Sequence, residues 1–202
     1  MKLLSSPSSP YVRKVRITAR MKGLAGQIEE VAANTQDLNN AELLAANPLF
    51  KIPALILDDG STLYDSAVIC EYLDAQVASP VLFPGAGPTR WEALRLGALG
   101  DGILDAAILL VYEKRFRPED MWVTAWMDRQ QAKMEGAIAA LEANPPAWTG
   151  TPNYGHMTIA CALGYLDFRH DGFWRKSAPK LAAWLDKFAA EVPAFNETKP
   201  AG

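Results

Sequence analysis

Apolar and polar positions recur on two different periods along this chain, and the change of period divides it in two. The first part is a succession of short elements. Residues 1–4 form a short apolar run, closed by Ser5-Ser6-Pro7-Ser8-Ser9-Pro10. Val12, Val15, Ile17 and Ala19 then recur at helical spacing with basic residues between them. That helix is predicted to stop at Lys22-Gly23, because glycine takes the left-handed conformation at no Cβ cost. Residues 27–33 read as a strand. Residues 37–46 read as a short helix stopped by Asn47-Pro48, since the residue before a proline is pushed out of the helical region. Ala54-Leu55-Ile56-Leu57 and Ser61-Thr62-Leu63-Tyr64 flank Asp58-Asp59-Gly60, a hairpin signal. Asp65-Ser66 caps a helix over residues 67–75, with Val68, Ile69, Tyr72 and Leu73 on its buried side. The predicted order is β-α-β-α-β-β-α.

Ser79-Pro80 and Phe83-Pro84-Gly85-Ala86-Gly87-Pro88 then break the pattern and read as a linker. Strand signals stop after it. Four long helical patterns follow, over residues 89–116, 118–143, 153–169 and 177–191, with Pro118 at a helix start and Asn144-Pro145-Pro146 ending the second. The expected architecture is a small α/β domain over 1–78, a linker over 79–87 and an all-helical domain over 88–202. The functional site is expected in the cleft between the two. Residues 196–202 are polar and expected to fray.

Composition changes this picture little. Half of the 202 residues are apolar and 21% are charged, as in an ordinary globular protein. The net charge of -3 and the lack of a dense Lys/Arg stripe, the densest cluster being Arg13, Lys14, Arg16, Arg20 and Lys22 along one predicted helix, argue against nucleic acid as a partner. The longest apolar run, 106–111, is far short of the ~20 residues that span a bilayer. Residues 1–4 are too short for a signal-peptide core, so no membrane partner and a cytoplasmic location are expected. Cys70 and Cys161 sit in apolar helical patterns and read as buried structural thiols; two cysteines make neither a disulfide framework nor a cysteine metal site. No metal is expected.

Three segments can carry chemistry. Phe50-Lys51-Ile52-Pro53 precedes a strand, and its proline is either an ordinary trans residue at a loop end or a cis residue. Asp65-Ser66 is a helix cap, and a helix N-terminus with an acidic neighbour also suits the carboxylate and ammonium of an α-amino acid. The serines of Ser5-Ser6-Pro7-Ser8-Ser9 precede a helix, where a hydroxyl caps the helix or donates to a bound thiolate, lowering that thiol's pKa. Only His156 and His170 exist, and neither is near these serines in sequence, which argues against a serine hydrolase.

Together these segments resemble the glutathione transferase superfamily, bacterial in type, over nearly the whole chain. The resemblance lies in Ser9-Pro10-Tyr11-Val12-Arg13-Lys14-Val15, in Asn47-Pro48-Leu49-Phe50-Lys51-Ile52-Pro53-Ala54-Leu55, in Leu63-Tyr64-Asp65-Ser66-Ala67-Val68-Ile69-Cys70-Glu71-Tyr72-Leu73 and in Ala162-Leu163-Gly164-Tyr165-Leu166-Asp167-Phe168-Arg169. It implies an α/β, thioredoxin-like N-terminal domain that binds glutathione, an all-α C-terminal domain on the hydrophobic substrate side, a cis Pro53 and a homodimer. It implies Ser9 as the residue that hydrogen-bonds the glutathione sulfur, with Ser6 and Ser8 as alternatives. It implies Ile52 and Pro53, with Lys51 beside them, at the cysteinyl part of glutathione, and Asp65 and Ser66 at its γ-glutamyl end. The implied reaction, in detoxification, is attack of the glutathione thiolate on a small hydrophobic electrophile, with glutathione as co-substrate. A non-catalytic carrier of hydrophobic ligands or an interaction protein, and a glutathione-dependent isomerase, lyase or reductase, are the alternative readings.

The chain departs from the family at Phe50, where relatives often carry a His, Gln or Lys, and at Ala67, where many have a basic residue; both weaken the expected grip on glutathione. His156 stands where relatives often have an acidic capping residue and reads as structural. In the first long helix Asp101, Asp105, Ile108 and Tyr112 share a face, either a solvated stripe or a face where Ile108 and Tyr112, with Arg115, touch the electrophile. Gly97, Gly100 and Gly102 weaken that helix and suggest close helix approach, within the chain or across a dimer. Asp167 and Arg169 read as a structural pair or cap, and Trp126, Trp148, Trp174 and Trp184 as core.

Overall fold

Strand β1 (Lys2–Ser5) lies inside a four-stranded mixed sheet whose order is β2-β1-β3-β4, as seen in a computed structural model describing residues 1–200. Its neighbours are β2 (Glu29–Ala32), parallel to it, and β3 (Ala54–Ile56), antiparallel; β4 (Thr62–Leu63) pairs antiparallel with β3. Leu3 and Leu4 are both 1% exposed. Successive strand residues face opposite sides, so both faces of the sheet are covered. Leu4 joins Ala33, Leu43, Ala46 and Ala54 under α2 (Ala41–Ala46), with Phe50 and Ile52 packed against them. Helices α1 (Pro10–Met21) and α3 (Ser66–Gln76) pack on each other and bury Val12, Val15, Ile69 and Leu73.

Local chemistry sets the ends of these elements. Pro10 occupies the first turn of α1, where no N–H is needed, and Gly23 follows its end at φ 69°. The second helix starts at Ala41 rather than at residue 37, because the Asn40 carboxamide accepts the Leu43 N–H and caps it there.

The second part is all helical: α4 (Pro88–Phe116), α5 (Thr124–Ala143), α6 (Tyr154–Arg169) and α7 (Pro179–Glu191). Pro118 does not begin α5. It precedes a separate 3₁₀ turn, Glu119–Met121, and Val123, two residues beyond that turn, donates its N–H to the buried Glu113 carboxylate. The centre of this unit is α4 against α6. A Cβ at Gly100 would lie 2.8 Å from Thr158 Cγ2, and one at Gly155 2.5 Å from the Ala93 carbonyl oxygen. At Gly97 and Gly100 the close helix approach foreseen from sequence is therefore within the chain; a Cβ at Gly102 meets nothing. Trp174 and Trp184 are buried in this core, while Trp126 and Trp148 are half-buried. Asp167 pairs with Arg175 at 2.5 Å and accepts the Trp174 indole N–H at 3.1 Å, so its partner is not Arg169. Both cysteines are buried and unpaired with each other. No helix among the described residues is long and apolar enough to cross a membrane.

The chain divides into two compact units, Gly85–Glu191 and Met1–Pro84 with the segment from Val192 onward. The last residues thus part from the helical domain in which 88–202 had been expected. A further helix, α8 (Pro193–Glu197), packs on α1: Arg13 Nη2 donates to the Phe195 carbonyl at 2.7 Å, and Thr198 is buried. The expectation of fraying fails there; its last two residues, 201 and 202, lie outside the described residues. The start of the expected linker is also held. Asp74 accepts the backbone N–H groups of Leu82 and Phe83 and pairs with the buried Lys22 ammonium at 2.8 Å.

Candidate functional site

The strand register decides which loops of the first unit meet. Leu4 near the end of β1 pairs with Ala54 at the start of β3, and Leu55 pairs with Leu63 at the end of β4. The loop after β1, the loop before β3 and the segment after β4 therefore emerge at one end of the sheet. These are the segments of Ser9, of Ile52-Pro53 and of Asp65-Ser66. The register thus brings together, at this end, every candidate that the sequence nominated in this unit.

Ser9 is the N-cap of α1. Its Oγ accepts the Val12 N–H at 3.3 Å, which uses an oxygen lone pair and leaves the hydroxyl hydrogen to donate elsewhere. Ser6 and Ser8 are hydrogen-bonded to each other at 3.3 Å, so one of their two protons is already used. The first turn of α1 holds no acidic residue, and Arg13 follows one turn after Ser9. The helix dipole favours an anion near Ser9.

The peptide Ile52-Pro53 is cis, as the family resemblance implied, and Tyr64-Asp65 is cis as well. The loop before Pro53 is built around Asn47, which the sequence marked only as a helix stop. Asn47 is 2% exposed; its Nδ2 donates to the Lys51 carbonyl at 2.9 Å and its Oδ1 accepts the Leu49 N–H at 3.0 Å. An amide between Leu43 and Pro53 that has to be buried was the available signal. Phe50 adopts φ 58° and packs on the apolar cluster under α2, whereas Lys51 is exposed.

Asp65 caps α3 by accepting the Ala67 N–H at 3.0 Å, and is itself exposed. Ser66 is buried at the first position of the helix. One carboxylate beside a helix N-terminus offers both signs of charge to a ligand that carries both.

Ile108 and Tyr112 lie in the second unit, one turn apart on α4, half-buried and 37% exposed respectively. Asp101 on the same stripe accepts the Tyr154 hydroxyl at 3.4 Å. His156 completes a capping box: Asn153 Oδ1 accepts the His156 N–H, and His156 Nδ1 accepts the Asn153 N–H at 3.2 Å. The remaining ring nitrogen, Nε2, carries the hydrogen and donates to the Ala147 carbonyl. Burial chiefly holds this histidine below its ordinary pKa. It is a neutral structural residue.

A mixed sheet bearing a serine-capped helix, a cis-proline loop and a capped third helix at one end, followed by an all-helical unit, is the glutathione transferase fold. Residues 8–76 match the glutathione S-transferase N-terminal domain and residues 124–187 its C-terminal domain. The chain is 31% identical to the uncharacterized GST-like protein YibF of Escherichia coli over 204 residues, covering 99% of this chain and 98% of that one. A glutathione transferase family member from Pseudomonas fluorescens, solved with bound glutathione, superposes with a TM-score of 0.92 at 40% identity, over 100% of this chain and 99% of that chain. The structure with bound S-(propanoic acid)-glutathione gives 0.87 at 39%, with both chains fully covered. Maleylacetoacetate isomerase of Pseudomonas aeruginosa is 25% identical over 210 residues, 100% of this chain and 96% of that one. The protein belongs to the glutathione S-transferase family.

Proposed function

We propose that this protein is a serine-type glutathione transferase that delivers the thiolate of glutathione to a small hydrophobic electrophile. One observation carries the reading: the register gathers Ser9, Ile52-Pro53 and Asp65-Ser66 at one sheet end, with the Ser9 hydroxyl hydrogen free to donate. In this reading Ser9 donates to the glutathione sulfur. The main chain of Ile52 pairs with the cysteinyl unit, next to Pro53 and Lys51. Asp65 and Ser66 hold the γ-glutamyl end, and Ile108 and Tyr112 contact the electrophile. The protein acts as a cytoplasmic homodimer in detoxification and uses no metal. The bound glutathione of the Pseudomonas fluorescens relative supports the choice of thiol.

The chemistry asked of the site is modest. A free thiol is mostly protonated at neutral pH, and each unit of pKa depression is worth about 1.4 kcal/mol. A hydroxyl donor and a helix N-terminus both stabilise the thiolate over the thiol. The sulfur then bonds to the electrophilic carbon, and a leaving group or a π pair takes up the displaced electrons. The test compares initial rates of conjugation to a chlorinated aromatic for wild type and Ser9→Ala. Equal rates would remove Ser9 from the mechanism.

The maleylacetoacetate isomerase relative favours a second reading, a glutathione-dependent isomerase. The two are separated by following glutathione itself: a transferase consumes it, and an isomerase returns it.

A further inference from the structure

A guanidinium lies buried in the first unit, at a place on α1 where an apolar side chain would escape the cost of desolvation. Arg13 is 5% exposed, and Val12 and Val15 on either side of it are wholly buried. Burying a charge is unfavourable unless its donors are met. Here Nη2 donates to the Phe195 carbonyl at 2.7 Å, and the guanidinium carbon lies 4.0 Å from the centroid of the Phe195 ring. Both contacts are to one residue of α8, which belongs to the first unit although it follows α7 in sequence. Val192, Ala194, Phe195 and Thr198 are buried, and Thr198 Oγ1 donates to the Ala194 carbonyl at 2.7 Å, so this segment is well anchored. A second link to α1, Arg20 Nε with Glu197 at 3.4 Å, is partly exposed, and such pairs contribute little.

The buried link falls at the turn that holds Ser9. The Arg13 N–H donates to the Ser9 carbonyl at 3.0 Å and closes the first turn of α1. Within that turn the Val12 N–H donates to Ser9 Oγ at 3.3 Å, and the Ser9 N–H donates to the Ser6 carbonyl at 3.1 Å. The place of the hydroxyl is thus set by main-chain groups, and a shift of the turn carries it along. The far end of α1 is secured separately, by the buried Lys22 ammonium on Asp74 at 2.8 Å. The near end is joined to β1 by residues 6–9, which form neither strand nor helix. It gains its tie to a second element through Arg13.

We propose that Arg13 is a positioning residue for the nucleophile: it anchors the first turn of α1 to Phe195 and so holds the Ser9 hydroxyl where it donates to the glutathione sulfur. This rests on the reading of Ser9 given above. A hydrogen bond weakens steeply as it bends and lengthens. A looser first turn therefore stabilises the thiolate less, and the pKa of the bound thiol rises. Arg13 acts through Ser9 and not on the sulfur, because its Nη2 is committed to the Phe195 carbonyl. The segment from Val192 onward thereby becomes part of the apparatus that activates the thiol.

The test titrates the ultraviolet absorbance of the thiolate on the full-length protein saturated with glutathione, at a temperature where circular dichroism shows each variant folded. Arg13→Met keeps the length of the side chain and removes the donor. It is expected to raise the pKa of the bound thiol by about 0.5–1 unit, a roughly three- to tenfold loss of thiolate at neutral pH. Phe195→Leu keeps an apolar residue and removes the ring beside the guanidinium; a smaller rise in the same direction is expected. In a Ser9→Ala background Arg13→Met is expected to add no further shift, since no hydroxyl is left to position. A shift that persists in that background overturns the proposal, because the charge would then act on the sulfur directly. An unchanged pKa in Arg13→Met, or in Phe195→Leu should Arg13→Met not fold, overturns it as well. If glutathione does not bind, or if Ser9→Ala leaves the pKa of the bound thiol unchanged, the reading of Ser9 falls and this proposal with it.

Discussion

The guanidinium of Arg13 donates to the Phe195 carbonyl oxygen at 2.7 Å and lies 4.0 Å above the centroid of the same residue's ring. One side chain of α1 thus holds a residue 182 positions away both by its main chain and by its face. The same helix opens at Ser9, so α8 supports the element that presents the candidate hydroxyl.

Arg13→Ala is expected to destabilise the protein by about 2–3 kcal/mol, the range for a lost charge-assisted hydrogen bond plus lost packing. Phe195→Ala removes the same partnership from the other side. In urea denaturation the double variant should lose less than the sum of the two singles, and strict additivity would show that the contact is not a coupled one.

Asn47→Ala removes two hydrogen bonds from a buried loop and leaves the Lys51 carbonyl without its donor. A loss of about 2–3 kcal/mol is expected, with a weaker grip on glutathione because the loop presents Ile52. Asn47→Asp keeps the acceptor for Leu49 and loses the donor to Lys51. Calorimetric titration with glutathione, beside a melting curve, checks both effects; unchanged affinity in Asn47→Ala would mean that the loop does not position the ligand.

Ser9→Ala is expected to raise the pKa of bound glutathione by about 1–2 units, and to slow conjugation at neutral pH by a similar power of ten. Ser9→Thr keeps the hydroxyl and should retain most of the rate. The ultraviolet absorbance of the thiolate, titrated on the complex, measures the shift directly. The affinity of wild type for glutathione is expected to be weaker than micromolar, because Phe50 is turned to the core cluster and Ala67 carries no charge.

Stability should fall on mild acidification, and His156 should account for part of it. Burial lowers the pKa of both His156 and His170 in the folded protein. The unfolded chain therefore binds protons first, and this contribution is complete above the unfolded value near 6.5 and lost as pH falls through the folded values. Protonation also places a hydrogen on His156 Nδ1, where the Asn153 N–H must be accepted. His156→Gln keeps an acceptor at that place and does not titrate. Its urea midpoint should decline less between pH 7 and 5 than that of wild type; parallel declines would assign the slope to other groups.

Gly100→Ala should be costly despite alanine's better helix propensity, since the new Cβ would meet Thr158 of α6. Destabilisation of about 1–3 kcal/mol is expected from overpacking. Gly102→Ala, on the same helix with open space around it, should be neutral or stabilising, and thermal melting of the pair separates the two causes.

Much of the fold was written in local patterns. The Asp58-Asp59-Gly60 turn, the caps at Ser9 and Asp65, and the switch from short elements to long helices each depend on neighbours in sequence, and each is where the pattern put it. The positions of Ser9, Ile52-Pro53 and Asp65-Ser66 were legible for the same reason: caps and prolines act on the residues next to them. What local patterns do not contain is pairing at long range. The polar tail from residue 196 gave no sign that Arg13 would hold the backbone just before it. Asn47 reads as a helix stop until the loop to Lys51 closes around it. Lys22 looks like a solvated helix end until Asp74 and the chain at Pro80 enclose it. The sequence by itself determined the order of the main strands and helices and the family, but not α8. Only the tertiary structure decided that three separated loops share one end of the sheet, because that follows from strand register.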